Sequence, residues 1–248
     1  MNLKKIKPQY LKKSNPRVGL ITLASDFMIE KDFSNVISGK KIDFFVNRIK
    51  CYNPLTSKNL IKMSKDVTNV TKEILPDQKI DCVVYGCTSG TIAAGYRSIE
   101  KKIKKAKPNT KVTTPSTAAI KALRKMKIKK ISVFTPYPKK LNNEVIDFLK
   151  KEKFIITSNS YFDIKSDIDI GKVDPEYLFK VLSRMDHKNA DALFVSCTAL
   201  PVLSILSRLE KKIKKIVISS NQALIWDTLE KIGKNNSITN FGKLFKAN

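Results

Sequence analysis

The chain contains one short pattern twice, an apolar run that ends in Cys-Thr. The first copy is Asp81-Cys-Val-Val-Tyr-Gly-Cys-Thr-Ser-Gly90 and the second is Asp191-Ala-Leu-Phe-Val-Ser-Cys-Thr-Ala-Leu200. A shift of 110 residues aligns Cys87 with Cys197 and Thr88 with Thr198. Short apolar runs bounded by small polar residues are typical of buried strands. The repeat therefore predicts two similar halves, each containing a strand that ends in a cysteine.

Strand and helix patterns alternate along the rest of the chain. Apolar runs predict strands at 17–23, 41–49, 80–85, near 112, and at 130–135, 154–157, 190–196 and 215–219. Apolar residues at three-to-four spacing predict helices between them, with single continuous helices over 56–74 and 88–106. Asp174 followed by Pro175 is typical of a capped helix start, and Ser25 or Asp26 is a further cap candidate. This alternation predicts an α/β fold with parallel sheets.

The repeat also suggests where the halves divide. We place the first lobe at residues 17–116, with 220–248 returning to it, and the second lobe at 117–219. Residues 1–16 are predicted to form a basic N-terminal extension. Ligands of parallel α/β sheets bind beyond the carboxyl ends of the strands, and both cysteines are predicted to lie there.

The formal net charge of +26 is the strongest argument for a nucleic-acid partner. However, only six of the 48 basic residues are arginines, and the lysines are spread along the predicted polar helix faces. Specific phosphate and base recognition favours the arginine fork. We therefore expect a solvated basic surface that steers anionic substrates, and no specific nucleic-acid partner.

Composition also bears on location and on cofactors. No apolar run reaches the length of a membrane span, and no secretory signal is apparent, so we expect a cytoplasmic protein without a membrane partner. Four cysteines without a Cys-x-x-Cys pair predict neither a disulfide scaffold nor a metal site. No nucleotide-binding, P-loop or zincin motif is present, and the chemistry considered below needs no cofactor. Whether the protein is a homo-oligomer stays open at this point.

Two thiols at strand ends allow two kinds of reaction. A helix that starts directly after each cysteine would stabilise a thiolate, and the hydroxyls of Thr88, Ser89 and Thr198 would lie beside it. One thiolate could take a proton from a carbon next to a carboxylate while the opposite thiol returns one. Alternatively, one thiolate could add to a conjugated carbon and leave again after the adduct rotates. The alternative to both is that Cys87 and Cys197 are small core residues.

Other reactive side chains fit less well. His187, the only histidine, precedes a strand, so we expect it at the edge opposite Cys197, exposed or at a helix terminus, without a catalytic part. Cys82 falls inside a strand and is predicted to be core, and Cys51 lies outside the repeat. Tyr137, between two prolines after a strand, is either a phenol donor to the substrate or an ordinary turn residue.

These motifs resemble the aspartate/glutamate racemase superfamily, in particular the branch that holds maleate cis-trans isomerase, arylmalonate decarboxylase and the ectoine-utilisation protein EutA. The likeness spans residues 17–233 and includes the two Cys-Thr motifs, Thr135-Pro-Tyr137 with Asn142 after it, and Ser219-Ser-Asn-Gln-Ala-Leu224. It implies two Rossmann-like lobes related by a pseudo-two-fold, with the active site in the cleft between them. It further implies that Cys87 and Cys197 are catalytic and that the substrate carboxylate is bound by Thr88, Ser89, Tyr137, Asn142 and Thr198.

One departure from this pattern concerns the substrate. Maleate isomerases carry Ser-Ser-Asn after the first strand, where this chain has Ala24-Ser25-Asp26. A carboxylate at Asp26 would repel a dicarboxylate and could pair with a cationic group. The stretches Leu-Ala-Ser-Asp, Asn-Arg-Ile and Asn-Pro-Leu-Thr look like EutA proteins, so we expect Asp26 to bind substrate and the enzyme to act in ectoine or hydroxyectoine breakdown. The alternatives are a maleate isomerase, an amino-acid racemase, or a basic binding module without catalysis.

Overall fold

Two parallel β-sheets form the frame of the protein. The structure, a computed structural model, describes residues 3–10, 14–235 and 238–246. One sheet has the order β2-β1-β3-β4 and the other β6-β5-β7-β8. The strands are β1 Arg17–Leu23, β2 Asp43–Ile49, β3 Cys82–Gly86, β4 Lys111–Thr113, β5 Lys130–Thr135, β6 Ile155–Tyr161, β7 Ala192–Val195 and β8 Ile216–Ser219. The predicted α/β class is confirmed.

The two sheets repeat one arrangement. In each sheet the first strand along the chain lies between the second and the third, and every pairing is parallel. The central strands are almost completely buried because helices cover both faces, which explains why they appear in the sequence as continuous apolar runs. The two Cys-Thr strands, β3 and β7, therefore hold equivalent positions in their sheets.

Eleven α-helices are found among residues 3–10, 14–235 and 238–246. They are α1 Ile29–Ile37, α2 Ser57–Ser64, α3 Val67–Lys72, α4 Thr88–Ala94, α5 Tyr96–Ala106, α6 Pro115–Lys125, α7 Lys139–Lys151, α8 Asp167–Gly171, α9 Pro175–Arg184, α10 Leu203–Ile213 and α11 Ser220–Lys231. A 3₁₀ helix at Lys243–Lys246 follows. Asp174 caps α9 as predicted, since its Oδ1 accepts a hydrogen bond from the Tyr177 N–H at 2.6 Å.

Two predicted helices are each divided in the structure. The helix expected over 88–106 is interrupted at Gly95, whose φ of +80° and ψ of 132° suit glycine and strain other residues. The helix expected over 56–74 is divided by a turn at Lys65 and Asp66, whose N–H groups make i to i−3 hydrogen bonds. Three-to-four spacing continues through both breaks, so apolar periodicity alone did not reveal them.

Helix α11 connects the two sheets. Residues 220–229 of this helix are all buried, and it packs against α1, β3 and β4 of the first half and against α6 and β8, which lie almost wholly in the second. Asp227 on this helix accepts a hydrogen bond from Thr113 at the end of β4 and pairs with Lys121 of α6. The return of residues 220–248 to the first lobe and the lobe boundaries stay predictions.

The chain ends carry less structure. Residues 3–10 and 14–16 of the predicted basic extension form neither helix nor strand, while residues 1, 2 and 11–13 lie outside the described part of the chain. At the other end, Leu244 and Phe245 of the 3₁₀ helix are buried, and residues 236, 237, 247 and 248 lie outside the description. Within the described residues, none of the helices combines the length and the apolar character that crossing a membrane requires.

Candidate active site

Cys87 begins the site at the carboxyl end of β3. The residue follows Gly86 directly and is the N-cap of α4. Its Sγ accepts a hydrogen bond from the Gly90 N–H at 3.2 Å, and its carbonyl accepts one from the Thr91 hydroxyl at 2.7 Å. The predicted placement of this thiol at a helix start is therefore observed. The side chain is buried, with 4% of its surface exposed.

Cys197 lies in a different local environment. It stands two residues beyond the end of β7, and α10 begins only at Leu203, so no helix starts at this thiol. The expectation that a helix N-terminus supports both cysteines is thus wrong for Cys197. Its φ of +125° is strained for a residue with a side chain. The contacts that fix this conformation come from another part of the chain.

The hydroxyl of Ser220, the first residue of α11, joins the two Cys-Thr units. Its oxygen accepts a hydrogen bond from Thr88 Oγ1 at 2.9 Å and another from the Cys197 N–H at 3.0 Å. A further bond crosses directly, from Thr198 Oγ1 to the Gly86 carbonyl at 3.3 Å. The structure therefore brings Cys87, Thr88, Cys197 and Thr198 together, although 110 residues separate the two pairs.

Two more predicted residues lie beside the thiols. Tyr137 is buried, and its hydroxyl is close enough to the Cys197 thiol to lower the pKa of that thiol. Ser89 is buried in the first turn of α4, and its hydroxyl is close enough to Cys87 to lower the pKa of that thiol slightly. Asn142 is also buried, but its Oδ1 accepts a hydrogen bond from Thr135 of β5 at 2.9 Å. Among the described residues, Asn142 makes no hydrogen bond to either cysteine.

Asp26 is buried at the start of α1. Its Oδ1 accepts hydrogen bonds from the N–H groups of Met28 and Ile29 at 2.8 and 3.0 Å, but the N-cap residue of α1 is Met28, so neither Ser25 nor Asp26 occupies the cap position itself. Its Oδ2 is buried and has no hydrogen-bond partner among the described residues. Burial raises the pKa of Asp26, while the two backbone N–H groups and the nearby Thr198 hydroxyl oppose that rise. One carboxylate oxygen is thus held in place and the other is uncommitted.

Two further acids in the site were not predicted. Burial raises the pKa of Asp32, on α1, to about 7, although Asn221 of α11 donates a hydrogen bond to its Oδ2 at 2.8 Å. The same Asn221 amide donates to the Thr198 carbonyl at 2.7 Å. Burial and the neighbouring Asp26 raise the pKa of Asp167 to about 6, and the Ser25 hydroxyl donates to its Oδ2 at 2.8 Å.

The sequence carried a signal for one of these acids. Asp32 lies on the apolar stripe of α1 formed by Ile29, Phe33 and Val36, and an acid on a buried helix face is unusual. Asp167 opens the short helix α8 in a stretch where no pattern was recognised. Its proximity to Ser25 depends on how the two halves meet, which local sequence does not encode.

Both thiols are uncharged in this arrangement. Burial raises the pKa of Cys87 and of Cys197, and the nearby Asp167 carboxyl raises both further. The Gly90 N–H opposes the rise at Cys87, and the Tyr137 hydroxyl opposes it at Cys197, but neither outweighs burial. The expected stabilisation of the thiolate by the helix start is therefore present at Cys87 and too small to ionise it. A reaction must generate the thiolate when a substrate enters.

His187 and Cys82 stay outside this group, whereas Cys51 lies near it: burial and then the Asp167 carboxyl raise the pKa of Cys51, and Cys51, besides burial, raises that of Cys87. His187 is buried between the Ser132 hydroxyl and the Leu182 carbonyl, each 2.8 Å away, so the expectation of an exposed ring is wrong and the helix-terminal alternative is right. Its Nε2 donates to Leu182, and Ser132 lies near the amino end of β5, away from Cys197. Cys82 is core, as expected, and Cys51 is partly buried. No cluster of three potential metal-ligating side chains occurs in the part of the chain that the structure describes.

A family model for arylmalonate decarboxylase matches residues 66–245. The chain belongs to this family. Maleate isomerases are among its relatives: the protein of Geobacillus stearothermophilus is 23% identical over 93% of this chain and 97% of its own length. Arylmalonate decarboxylase of Bordetella bronchiseptica is 26% identical over 54% of this chain and 57% of its own.

Solved structures agree with this placement. The maleate isomerase Iso from Pseudomonas putida S16 matches with a TM-score of 0.87 at 23% identity, covering 93% of this chain and 98% of that one. A cysteine-to-serine mutant of Nocardia farcinica maleate cis-trans isomerase, with a covalently bound succinylcysteine intermediate, matches with a TM-score of 0.86 at 18% identity, covering 94% and 99%. The expected branch of the racemase-like superfamily and the expectation of an enzyme are therefore confirmed.

Ser220→Ala should weaken the junction between the halves. The substitution leaves the buried Cys197 N–H and the Thr88 hydroxyl without their acceptor. We expect the free energy of unfolding to fall by about 1–3 kcal/mol, measured by urea denaturation. Ser204→Ala, at an exposed position of α10, is the control and should change stability by less than about 0.5 kcal/mol. Equal stability of the two variants would contradict the role of the junction.

Asp32→Asn should change how stability depends on pH. The pKa of Asp32 is about 7 in the folded protein and near 3.8 otherwise, so between these values the folded state binds more protons and its stability falls as the pH rises. An asparagine oxygen can still accept the bond from Asn221 and carries no charge. We expect the melting temperature of the variant, relative to wild type, to increase from pH 4 to pH 8. A constant difference, like that of the surface control Asp66→Asn, would contradict this.

Proposed function

We propose that the protein is a cofactor-independent isomerase or racemase-type enzyme in which Cys87 and Cys197 react with a small carboxylate substrate. The observation that carries this proposal is the shared Ser220 oxygen, which holds the two Cys-Thr units against each other. Two core cysteines would not need this cross-connection between distant segments. The hydroxyls of Thr88, Ser89 and Thr198 are buried in or directly after these two units and are proposed to bind the carboxylate.

Two routes follow from neutral thiols in a buried site. In the first, one cysteine, ionised when substrate binds, takes the proton from the carbon next to the carboxylate, and the opposite thiol gives its proton to the other face of that carbon. In the second, a thiolate forms a C–S bond to an unsaturated carbon, the remaining single bond rotates, and the C–S bond breaks to restore the double bond and the thiolate. The succinylcysteine bound in the Nocardia farcinica relative favours a covalent route.

The acids of the site favour a substrate that also carries a positive charge. Asp26 and Asp167 are both buried, burial raises the pKa of each, and Asp26 raises that of Asp167 further, so a second substrate carboxylate beside them would be repelled. The unpartnered Asp26 Oδ2 is available to an N–H donor. Hydroxyectoine combines one carboxylate with a cyclic amidinium. We therefore propose a rearrangement of hydroxyectoine or ectoine, in the breakdown of these compounds, as the reaction.

Maleate isomerisation is the second candidate. Four maleate isomerases align with this chain, three of them over at least 86% of its length. Maleate would place two negative charges next to Asp26 and Asp167, which requires both acids to stay protonated. An amino-acid racemase fits the paired thiols and a cationic group, but nothing else in the site favours it. A binding module without catalysis would use the basic surface and would not need the thiols.

The substrate can be identified by NMR in D₂O. We expect hydroxyectoine or ectoine to be converted, and Cys87→Ala and Cys197→Ala each to lower the rate at least about 100-fold, because each removes a reacting group. Ser204→Ala, at an exposed position of α10, is the control and should keep most of the activity. Turnover of maleate alone would refute the proposed substrate, and undiminished rates in both alanine variants would refute the two-thiol mechanism. DNA binding that is salt-sensitive and survives Cys87→Ser would favour the binding module.

Asp26→Asn tests the charge preference separately. The asparagine oxygen can still accept from the Met28 and Ile29 N–H groups, so the helix start is retained. Loss of one ion-paired hydrogen bond should lower kcat/KM for a cationic substrate about 10- to 100-fold. The same change should improve any activity on maleate, because it removes a repulsive charge. An unchanged ratio of the two activities, as expected for the surface variant Asp66→Asn, would count against a cation-binding role for Asp26.

A further inference from the structure

Tyr85 carries a hydroxyl that the proposed mechanism does not use. The residue is the last but one of β3, its side chain is fully buried, and its hydroxyl has no hydrogen-bond partner among the described residues. A buried hydroxyl without a partner is costly and is rarely retained without a reason. Phenylalanine would fill the same space in the core without this cost. The hydroxyl therefore calls for a partner that forms in the working enzyme.

Gly90 shows where that partner lies. A methyl group added at Gly90 would lie 2.7 Å from Cys87 Sγ and 3.1 Å from the Tyr85 hydroxyl oxygen. The thiol and the phenol therefore border the same small space in the first turn of α4. Only glycine, which has no side chain, leaves that space open between them.

The other half of the site offers a parallel. There the hydroxyl of Tyr137 is close enough to the Cys197 thiol to lower its pKa, against the larger effect of burial. Tyr137 follows β5, whereas Tyr85 lies within β3, so the two phenols come from different strands, one in each half. A hydrogen bond from Tyr85 would lower the pKa of Cys87, as the Tyr137 hydroxyl lowers that of Cys197.

We propose that Tyr85 is a catalytic residue whose hydroxyl donates a hydrogen bond to the Cys87 thiolate across the space left by Gly90. This inference rests on the proposed function only in treating Cys87 as a reacting thiol. No proton is transferred: the phenol keeps its hydrogen, and the thiolate is the acceptor. Burial raises the pKa of Tyr85 well above its ordinary value, so the hydroxyl keeps its proton near neutral pH and is the donor in this hydrogen bond.

The test compares alkylation at the two cysteines without any substrate. Wild type, Tyr85→Phe and Tyr137→Phe are treated with iodoacetamide over a range of pH, and mass spectrometry of fragment ions measures the rate at Cys87 and at Cys197 separately. We expect Tyr85→Phe to raise the apparent pKa of Cys87 and slow its alkylation about tenfold at a given pH, leaving Cys197 unchanged. Tyr137→Phe should slow the alkylation of Cys197 and leave that of Cys87 unchanged. Tyr96→Phe, whose hydroxyl lies 3.5 Å from the Val112 carbonyl, is the control and should affect neither thiol.

Two further measurements separate this role from a structural one. The melting temperature of Tyr85→Phe should not fall, because the lost hydroxyl has no partner in the resting structure. In a Gly90→Ala background the added methyl group separates Cys87 Sγ from the Tyr85 hydroxyl oxygen. Adding Tyr85→Phe to that background should therefore slow the alkylation of Cys87 no further. An unchanged apparent pKa of Cys87 in Tyr85→Phe, or equal slowing of both thiols, would overturn the proposal. Because no substrate is needed, a negative result here is independent of whether the substrate has been identified correctly.

Discussion

The site depends on a single oxygen atom that accepts hydrogen bonds from both halves of the chain. Ser220 is the first residue of α11, and its hydroxyl holds Thr88 of the first Cys-Thr unit and the backbone of Cys197 in the second. Cys197 adopts a left-handed backbone conformation without a helix after it, so it needs such an external contact. The burial of α11 over ten consecutive residues fixes the position of that oxygen. The geometry of the two thiols thus follows from the packing of one helix.

The sequence predicted those parts of the protein that local pattern determines. Strands β1 and β5 have the predicted bounds, because burial on both sheet faces makes each of them a continuous apolar run. Both cysteines lie past the carboxyl ends of their strands, as the same pattern predicted. The capping role of Asp174 was also predictable, since a short polar side chain followed by proline is typical of a helix start.

The remaining features depend on contacts between distant segments. The repeat suggested equal surroundings for the two cysteines, yet Cys197 is held by Ser220, 23 residues further on. Asp167 approaches Ser25 across 142 residues, and no periodicity reports such a pairing. The uncharged state of the thiols was missed for a related reason, because the degree of burial depends on how completely the two halves close over the site. The sequence pattern predicted the strands that carry the reactive side chains, whereas the protonation of those side chains depends on tertiary packing.

Burial of the two cysteines also affects how easily they are oxidised between reactions. A thiolate exposed to the cell is the form that peroxide and glutathione disulfide attack, and its oxidation beyond the sulfenic acid is irreversible. Here each cysteine exposes 4% of its surface and burial favours the neutral thiol, so the resting molecule offers oxidants little access and little of the reactive form. The same closure that delays ionisation until a substrate arrives therefore preserves both free thiols.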